Sequence, residues 1–218
     1  MSLMDEKCVS LWCKTEQLQM LEFKNTSVHL SGGGESKPFS LVVNDGDIVC
    51  VAGARGLGKS RLLRAVLGME PVANGYITFD GEIVSPWSAA YFRNMIAYIP
   101  QDLPSGKLRL GELFRMLFQL DANLQQGVEK EKLLSVWHSF GIDSGLYDKT
   151  LDSIPRDVLQ NVYLSFLPLL DRKVILIDDI MQNEMVEGFL ADLASTGAEI
   201  IYSCRENRMK CNKIVNLN

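Results

Sequence analysis

The sequence lacks three features that would each indicate a particular class of protein. No apolar run approaches the roughly 18 residues that a helix needs to cross a bilayer, and the first residues do not follow a signal-peptide pattern. Two histidines and five irregularly spaced cysteines argue against a zinc site. The basic surplus typical of nucleic-acid-binding proteins is also missing, since the net charge is −5. We therefore expect no nucleic-acid partner.

What is present is an ordinary globular composition. The chain has 218 residues, of which 47% are apolar and 22% charged. This length suits one domain with a substantial core, and there is no internal repeat or low-complexity tract. We expect a single domain over residues 1–218 of a cytoplasmic protein with reduced thiols.

Strand and helix patterns alternate along the chain. Strands are predicted at residues 19–24, 39–43, 47–53, 76–79, 82–84, 95–99, 173–179, 199–203 and 213–217, and helices at 59–67, 110–140, 155–170 and 184–193. This order predicts an α/β fold with a mainly parallel central sheet, in which residues 173–179 form a central parallel strand. Residues 19–100 and 170–218 would form the core and an antiparallel β edge. Residues 105–165 would form a helical subdomain.

The complete sequence pattern of a phosphate-binding loop lies between the third predicted strand and the first predicted helix. The stretch GARGLGKS fits G-x-x-x-x-G-K-[ST], and its context predicts a P-loop NTPase fold. Glycines let backbone N–H groups surround phosphate oxygens, Lys59 would reach the β- and γ-phosphates, and Ser60 would bind Mg²⁺. The predicted nucleotide-binding residues are Gly53, Ala54, Arg55, Gly56, Leu57, Gly58, Lys59, Ser60 and Arg61.

Three further stretches resemble motifs of ATP-binding-cassette (ABC) ATPases. AYIPQD places Gln101 like the family's Q-loop glutamine, VILIDD places Asp178 like its Walker B aspartate, and EIIYS resembles the strand before its switch histidine. The stretches at residues 47–67 and GYITFDGE also match closely. The resemblance covers about residues 19–217. It implies ATP and Mg²⁺ as cofactors, with Ser60, Gln101 and Asp178 at the metal, and Gln101 and Asp179 in catalysis.

The resemblance also implies partners. In this family two chains sandwich two ATP molecules, each site using the Walker elements of one chain and the LSGGQ signature of the other. We therefore expect a homodimer, or a heterodimer with another ABC-type chain. A membrane permease, if there is one, would be a separate polypeptide because this chain has no membrane span, and membrane association would run through it.

The stretch LSGGGE at residues 30–35 copies four letters of the family signature but stands in the wrong place. The signature follows the Q-loop and begins a helix, whereas this stretch precedes the phosphate loop. We interpret it as a turn. The true signature position falls near residues 154–158, with residues 151–155 as the other register, and neither contains a glycine pair.

Other positions also depart from the family pattern. Asp179 stands where the family has a glutamate, and Cys204 stands at the switch-histidine position, where a buried thiol is the simplest interpretation. The D-loop residues after Walker B are missing. The adenine-stacking aromatic expected near Leu30 is also absent, with His29 as the nearest ring. These losses predict ATP binding with slow or absent hydrolysis.

Three functions remain open from the sequence. The first is a nucleotide-binding subunit of an ABC transporter, and the second is a regulatory or scaffold protein that binds ATP with little turnover. The third is a small-molecule kinase, which would need a substrate lid rich in arginine. This function is disfavoured because the block that would form the lid, residues 110–152, contains a single arginine, Arg115. The substrate and direction of transport cannot be inferred from such a subunit.

Overall fold

A computed structural model describes residues 21–218 of the chain. Its strands are β1 (Leu21–Ser27), β2 (Phe39–Val43), β3 (Ile48–Ala52), β4 (Asn74–Phe79), β5 (Glu82–Ile83), β6 (Ile96–Ile99), β7 (Val174–Ile177), β8 (Glu199–Cys204) and β9 (Lys213–Asn216). Its helices are α1 (Lys59–Val66), α2 (Ala89–Arg93), α3 (Leu110–Phe118), α4 (Asp121–Leu124), α5 (Lys130–Ser139), α6 (Arg156–Leu170) and α7 (Glu184–Ser195). The first two residues of the predicted strand 19–24, with Cys8 and Cys13, lie outside the described residues.

The strands form two sheets. Five parallel strands lie in the order β6-β7-β8-β3-β9, and four antiparallel strands lie in the order β2-β1-β4-β5. This arrangement confirms the predicted α/β P-loop NTPase fold with its parallel sheet and antiparallel edge. Strand β7 lies inside the parallel sheet, between β6 and β8, which confirms the prediction of a central parallel strand there.

Successive side chains of the parallel strands point to opposite faces of the sheet, so they belong to two separate cores. Val49 and Val51 of β3 join the core shared with α1 and the antiparallel sheet, whereas Cys50 and Ala52 join the core shared with α7. A third core lies among α3, α5 and α6, around the fully buried Trp137. None of the described helices is both long and apolar enough to cross a bilayer.

The predicted helical stretch 110–140 is not one helix. It divides into α3, α4 and α5, and the Asn123 side chain donates a hydrogen bond of 2.7 Å to the Leu117 carbonyl at the end of α3. Gly127 then adopts a positive φ of 53°, which a right-handed helix cannot contain. Helix α2 was also not predicted from the sequence. The spacing of apolar residues alone does not reveal where a helix ends, because hydrogen bonds from capping side chains and the conformations of turn residues determine the ends.

Candidate nucleotide-binding site

The phosphate loop joins the carboxyl end of β3 to α1. Gly58 precedes α1 with a φ of 84°, in the left-handed region that favours glycine. A Cβ at this position would stand 2.7 Å from Cγ2 of Val28 and 3.1 Å from the His29 carbonyl oxygen. The backbone of the loop is therefore held close to the chain after β1, and only glycine fits there.

Lys59 folds back over this loop. Its Nζ donates hydrogen bonds to the carbonyl oxygens of Gly53, at 2.7 Å, and Ala54, at 2.9 Å. Partial burial lowers the pKa of Lys59, although the nearby carboxylates of Asp179 and Asp178 oppose this effect. These two hydrogen bonds place the ammonium group at the loop, beside the N-terminus of α1. The N–H groups in the first turn of a helix have no partner within the helix, so they favour an anion.

Two aspartates follow β7 and are fixed by the neighbouring strand β8. Asp178 is 2% exposed, and its Oδ1 accepts a 2.6 Å hydrogen bond from the Ser203 hydroxyl. The same hydroxyl accepts a 2.8 Å hydrogen bond from the backbone N–H of Asp179. Ser203 thus orients both residues, a role that was not predicted from the sequence.

The loop and the aspartates line one cavity of about 380 Å³. Predicted site residues in its lining are Arg55, Gly56, Gly58, Lys59, Ser60, Arg61, Gln101, Asp178 and Asp179. The other predicted residues, Gly53, Ala54 and Leu57, belong to the loop but do not line the cavity. The lining also includes Arg64, one helical turn after Arg61 on α1, and Ser31 and Arg205, which are distant from the phosphate loop in sequence. None of the three was predicted as a site residue.

The residues present fit a magnesium nucleotide. Ser60, from α1, and Asp178, from the end of β7, both supply oxygen atoms to the cavity lining. Within residues 21–218 no cluster of three or more His, Cys, Asp or Glu side chains could hold a metal by itself. Mg²⁺ commonly takes few protein ligands and fills its remaining positions with phosphate oxygens and water.

The stretch LSGGGE is a turn, as predicted, but it also contacts the phosphate loop. The N–H of Leu30 bonds to the Gly34 carbonyl at 3.0 Å and closes the turn. The N–H of Ser31 bonds to the Gly56 carbonyl, also at 3.0 Å. This second contact supports the phosphate loop from outside, and a local sequence pattern gives no indication of it.

Helix α6 begins beside Gln101. Pro155 precedes its first residue, Arg156, so the helix N-terminus falls within the register 154–158. In the other register, residues 151–153 form a short 3-10 turn. The Arg156 guanidinium donates a 2.7 Å hydrogen bond to the Gln101 carbonyl. An arginine side chain therefore connects the helical part of the chain to the cavity.

Two other predicted positions do not reach the cavity. Cys204 is 1% exposed, and its sulfur lies 3.4 Å from the sulfur of Cys50. The hydrogen bond with Cys50 is the main reason that the pKa of the Cys204 thiol is lowered. His29 is exposed and is not part of the cavity lining. Neither side chain therefore lines the cavity that holds the phosphate loop and the aspartates.

Comparison with known proteins places this geometry in a family. The family described as ABC transporter matches residues 36–181. The chain belongs to the ABC transporter family. The ergothioneine transport ATP-binding protein EgtV of Helicobacter pylori is 29% identical over 140 residues, which cover 64% of this chain and 63% of EgtV.

Two further similarities cover more of this chain. The nickel import ATP-binding protein NikE of Escherichia coli is 24% identical over 181 residues, 76% of this chain and 68% of NikE. The chain spans 32% to 68% of the lengths of the first curated relatives it matches. Among solved structures, an ABC transporter ATP-binding protein from Pyrococcus furiosus aligns with a TM-score of 0.74 at 18% identity, covering 91% of this chain and 97% of that one.

Proposed function

We propose that this chain is an ATP-binding subunit of an ABC transporter, and that it binds ATP with Mg²⁺ but hydrolyses it slowly. The observation that carries the proposal is the single cavity in which Lys59 and the phosphate loop meet Asp178 and Gln101. Lys59 and the loop N–H groups would bind the β- and γ-phosphates, while Ser60, Asp178 and Gln101 would hold the Mg²⁺ ion directly or through water.

Slow hydrolysis follows from the residues around this cavity. Asp179 would be the group that orients the attacking water, but its carboxylate is one methylene shorter than that of a glutamate. A displacement near 1 Å can lower a rate by about 100-fold. The buried Cys204 supplies no imidazole. An ATPase rate of the order of 10 s⁻¹, ordinary for enzymes, would contradict this part of the proposal.

The start of α6 also bears on partners. We propose a dimer, with itself or another ABC-type chain, in which this helix faces the nucleotide of the other subunit. Arg156 and Asp157 stand in the 154–158 register where a glycine pair would let backbone approach a phosphate, and the Asp157 carboxylate would repel it. A separate permease would bring the chain to a membrane. The same departures favour the second candidate, a regulatory ATP-binding protein without transport.

The first test is calorimetric titration of the folded chain with ATP and Mg²⁺. We expect Lys59→Ala to weaken binding at least about 10-fold, because a charged donor to phosphate is lost. Lys132→Ala, at an exposed position on α5, is the matched control and should bind like the wild type. No binding by the folded wild type, or equal binding by Lys59→Ala, would contradict the proposal.

A further inference from the structure

The end of β8 is fixed directly against the phosphate loop. The carbonyl oxygen of Cys204 accepts a hydrogen bond of 3.3 Å from the N–H of Gly53, the first residue of the loop. One residue earlier, the Ser203 hydroxyl is bonded to Asp178. The residue that follows, Arg205, is therefore placed at the nucleotide cavity by one backbone contact to the phosphate loop and one side-chain contact to Asp178.

The side chains of Cys204 and Arg205 take different directions from this point. The Cys204 thiol is buried against Cys50, in the core beneath the sheet. Arg205 is exposed, and it lines the cavity together with Lys59 and Asp179. Its positive charge contributes to lowering the pKa of Lys59, after the larger effect of burial, so the two cations lie near each other.

Arg205 is also available for an anionic ligand. Two other arginines of the cavity lining are occupied by Glu70, which lies 3.9 Å from Nε of Arg61 and 2.6 Å from Nε of Arg64. Within residues 21–218, by contrast, no carboxylate pairs with Arg205 within 4.0 Å. A cation without a counterion beside Lys59 fits a ligand that brings additional negative charge.

We propose that Arg205 binds the terminal phosphate of a nucleoside triphosphate and makes this site select triphosphate over diphosphate. The inference rests on the proposed function and deepens it. A guanidinium stays charged at all physiological pH values and can donate two parallel hydrogen bonds to phosphate oxygens. Arg205 would thus provide, from the next position, a contact that the buried Cys204 cannot make.

The test compares binding of MgATP and MgADP by the wild type, Arg205→Ala and Arg205→Lys. We expect Arg205→Ala to weaken MgATP binding about 10-fold or more and MgADP binding less than about 3-fold, since only ATP carries the contacted phosphate. Arg205→Lys should fall between, because it keeps the charge but not the paired donors. Arg208→Ala is the control, since Arg208 is exposed on the same loop and pairs with Glu206.

The outcomes separate this inference from the proposed function. In Arg205→Ala, equal fold losses of MgATP and MgADP affinity would leave the ratio of the two affinities unchanged. That result would overturn the role of Arg205 while leaving nucleotide binding in place. A folded wild type that binds neither nucleotide would overturn both proposals. Equal melting temperatures for the wild type and the variants would show that the exposed substitutions have not changed folding.

Discussion

At the scale of single residues, Gly58 shows how tightly the phosphate loop is held. Two constraints act on it, a φ of 84° and the approach of Val28 and His29. Gly81, in the turn between β4 and β5, has a similar φ of 80° but would leave an added Cβ with no neighbour within 4 Å. The two glycines therefore separate backbone strain from steric overlap.

We predict that Gly58→Ala destabilises the protein by about 2 to 5 kcal/mol, the sum of left-handed backbone strain and overpacking. Gly81→Ala should cost only about 1 to 2 kcal/mol, from the strain alone. Urea denaturation of the two variants measures the difference. Equal losses of stability would mean that the contact with Val28 is not a real constraint.

At the scale of elements, α5 and α6 are joined by a buried polar contact. The indole Nε1 of Trp137 donates a 2.9 Å hydrogen bond to the hydroxyl of Ser165, and both side chains are 0% exposed. The hydroxyl in turn donates to the Val162 carbonyl at 2.6 Å. A tryptophan can be buried here because its one donor has a partner.

Removing that partner should loosen the helical part of the chain. We predict that Ser165→Ala lowers the free energy of unfolding by about 1 to 3 kcal/mol, because the indole N–H is left buried and unpaired. Ser139→Ala is the matched control, since the exposed Ser139 hydroxyl donates to the Val136 carbonyl on its own helix and, within residues 21–218, to no other helix. Denaturant unfolding followed by tryptophan fluorescence would show the effect. A Ser165→Ala variant as stable as the control would contradict the prediction.

At the scale of the whole molecule, one buried carboxyl connects stability to pH. Glu199, at the start of the central strand β8, is 0% exposed, and neither oxygen has a side-chain hydrogen-bond partner among the described residues. Burial raises its pKa to about 8, although the Lys173 ammonium, 3.9 Å away, opposes the shift. The folded protein therefore holds this proton more tightly than the unfolded chain does.

The sign of the pH dependence follows from that difference. The contribution of Glu199 to stability should be complete below the ordinary glutamate pKa of 4.5 and should be lost as the pH rises through about 8. The slope is at most about 1.4 kcal/mol per pH unit for one proton. We predict that Glu199→Gln flattens this dependence and is more stable than the wild type at pH 8, whereas Glu82→Gln, on an exposed edge strand, is not. Thermal melting between pH 5 and 9 tests this, and parallel curves for the wild type and Glu199→Gln would refute it.

The sequence by itself determined the parallel sheet, the phosphate loop and the position of Asp178 at the end of a buried strand. These features depend on short-range patterns: β-branched apolar runs, a glycine spacing with its lysine, and strands that alternate with helices. It also showed that the stretch at residues 30–35 is a turn, because a signature would have to begin a helix after the Q-loop.

Only the tertiary structure decided which residues meet at and around the site. The bond from Ser31 to the Gly56 carbonyl, the link from Arg156 to Gln101 and the pairing of Cys204 with Cys50 all join residues that are far apart in sequence. The direction of a side chain at the end of a strand depends on packing against its neighbours. For that physical reason the sequence could align Cys204 with the switch-histidine position and predict a buried thiol, which the structure confirms, but it could not show that Arg205 lines the cavity.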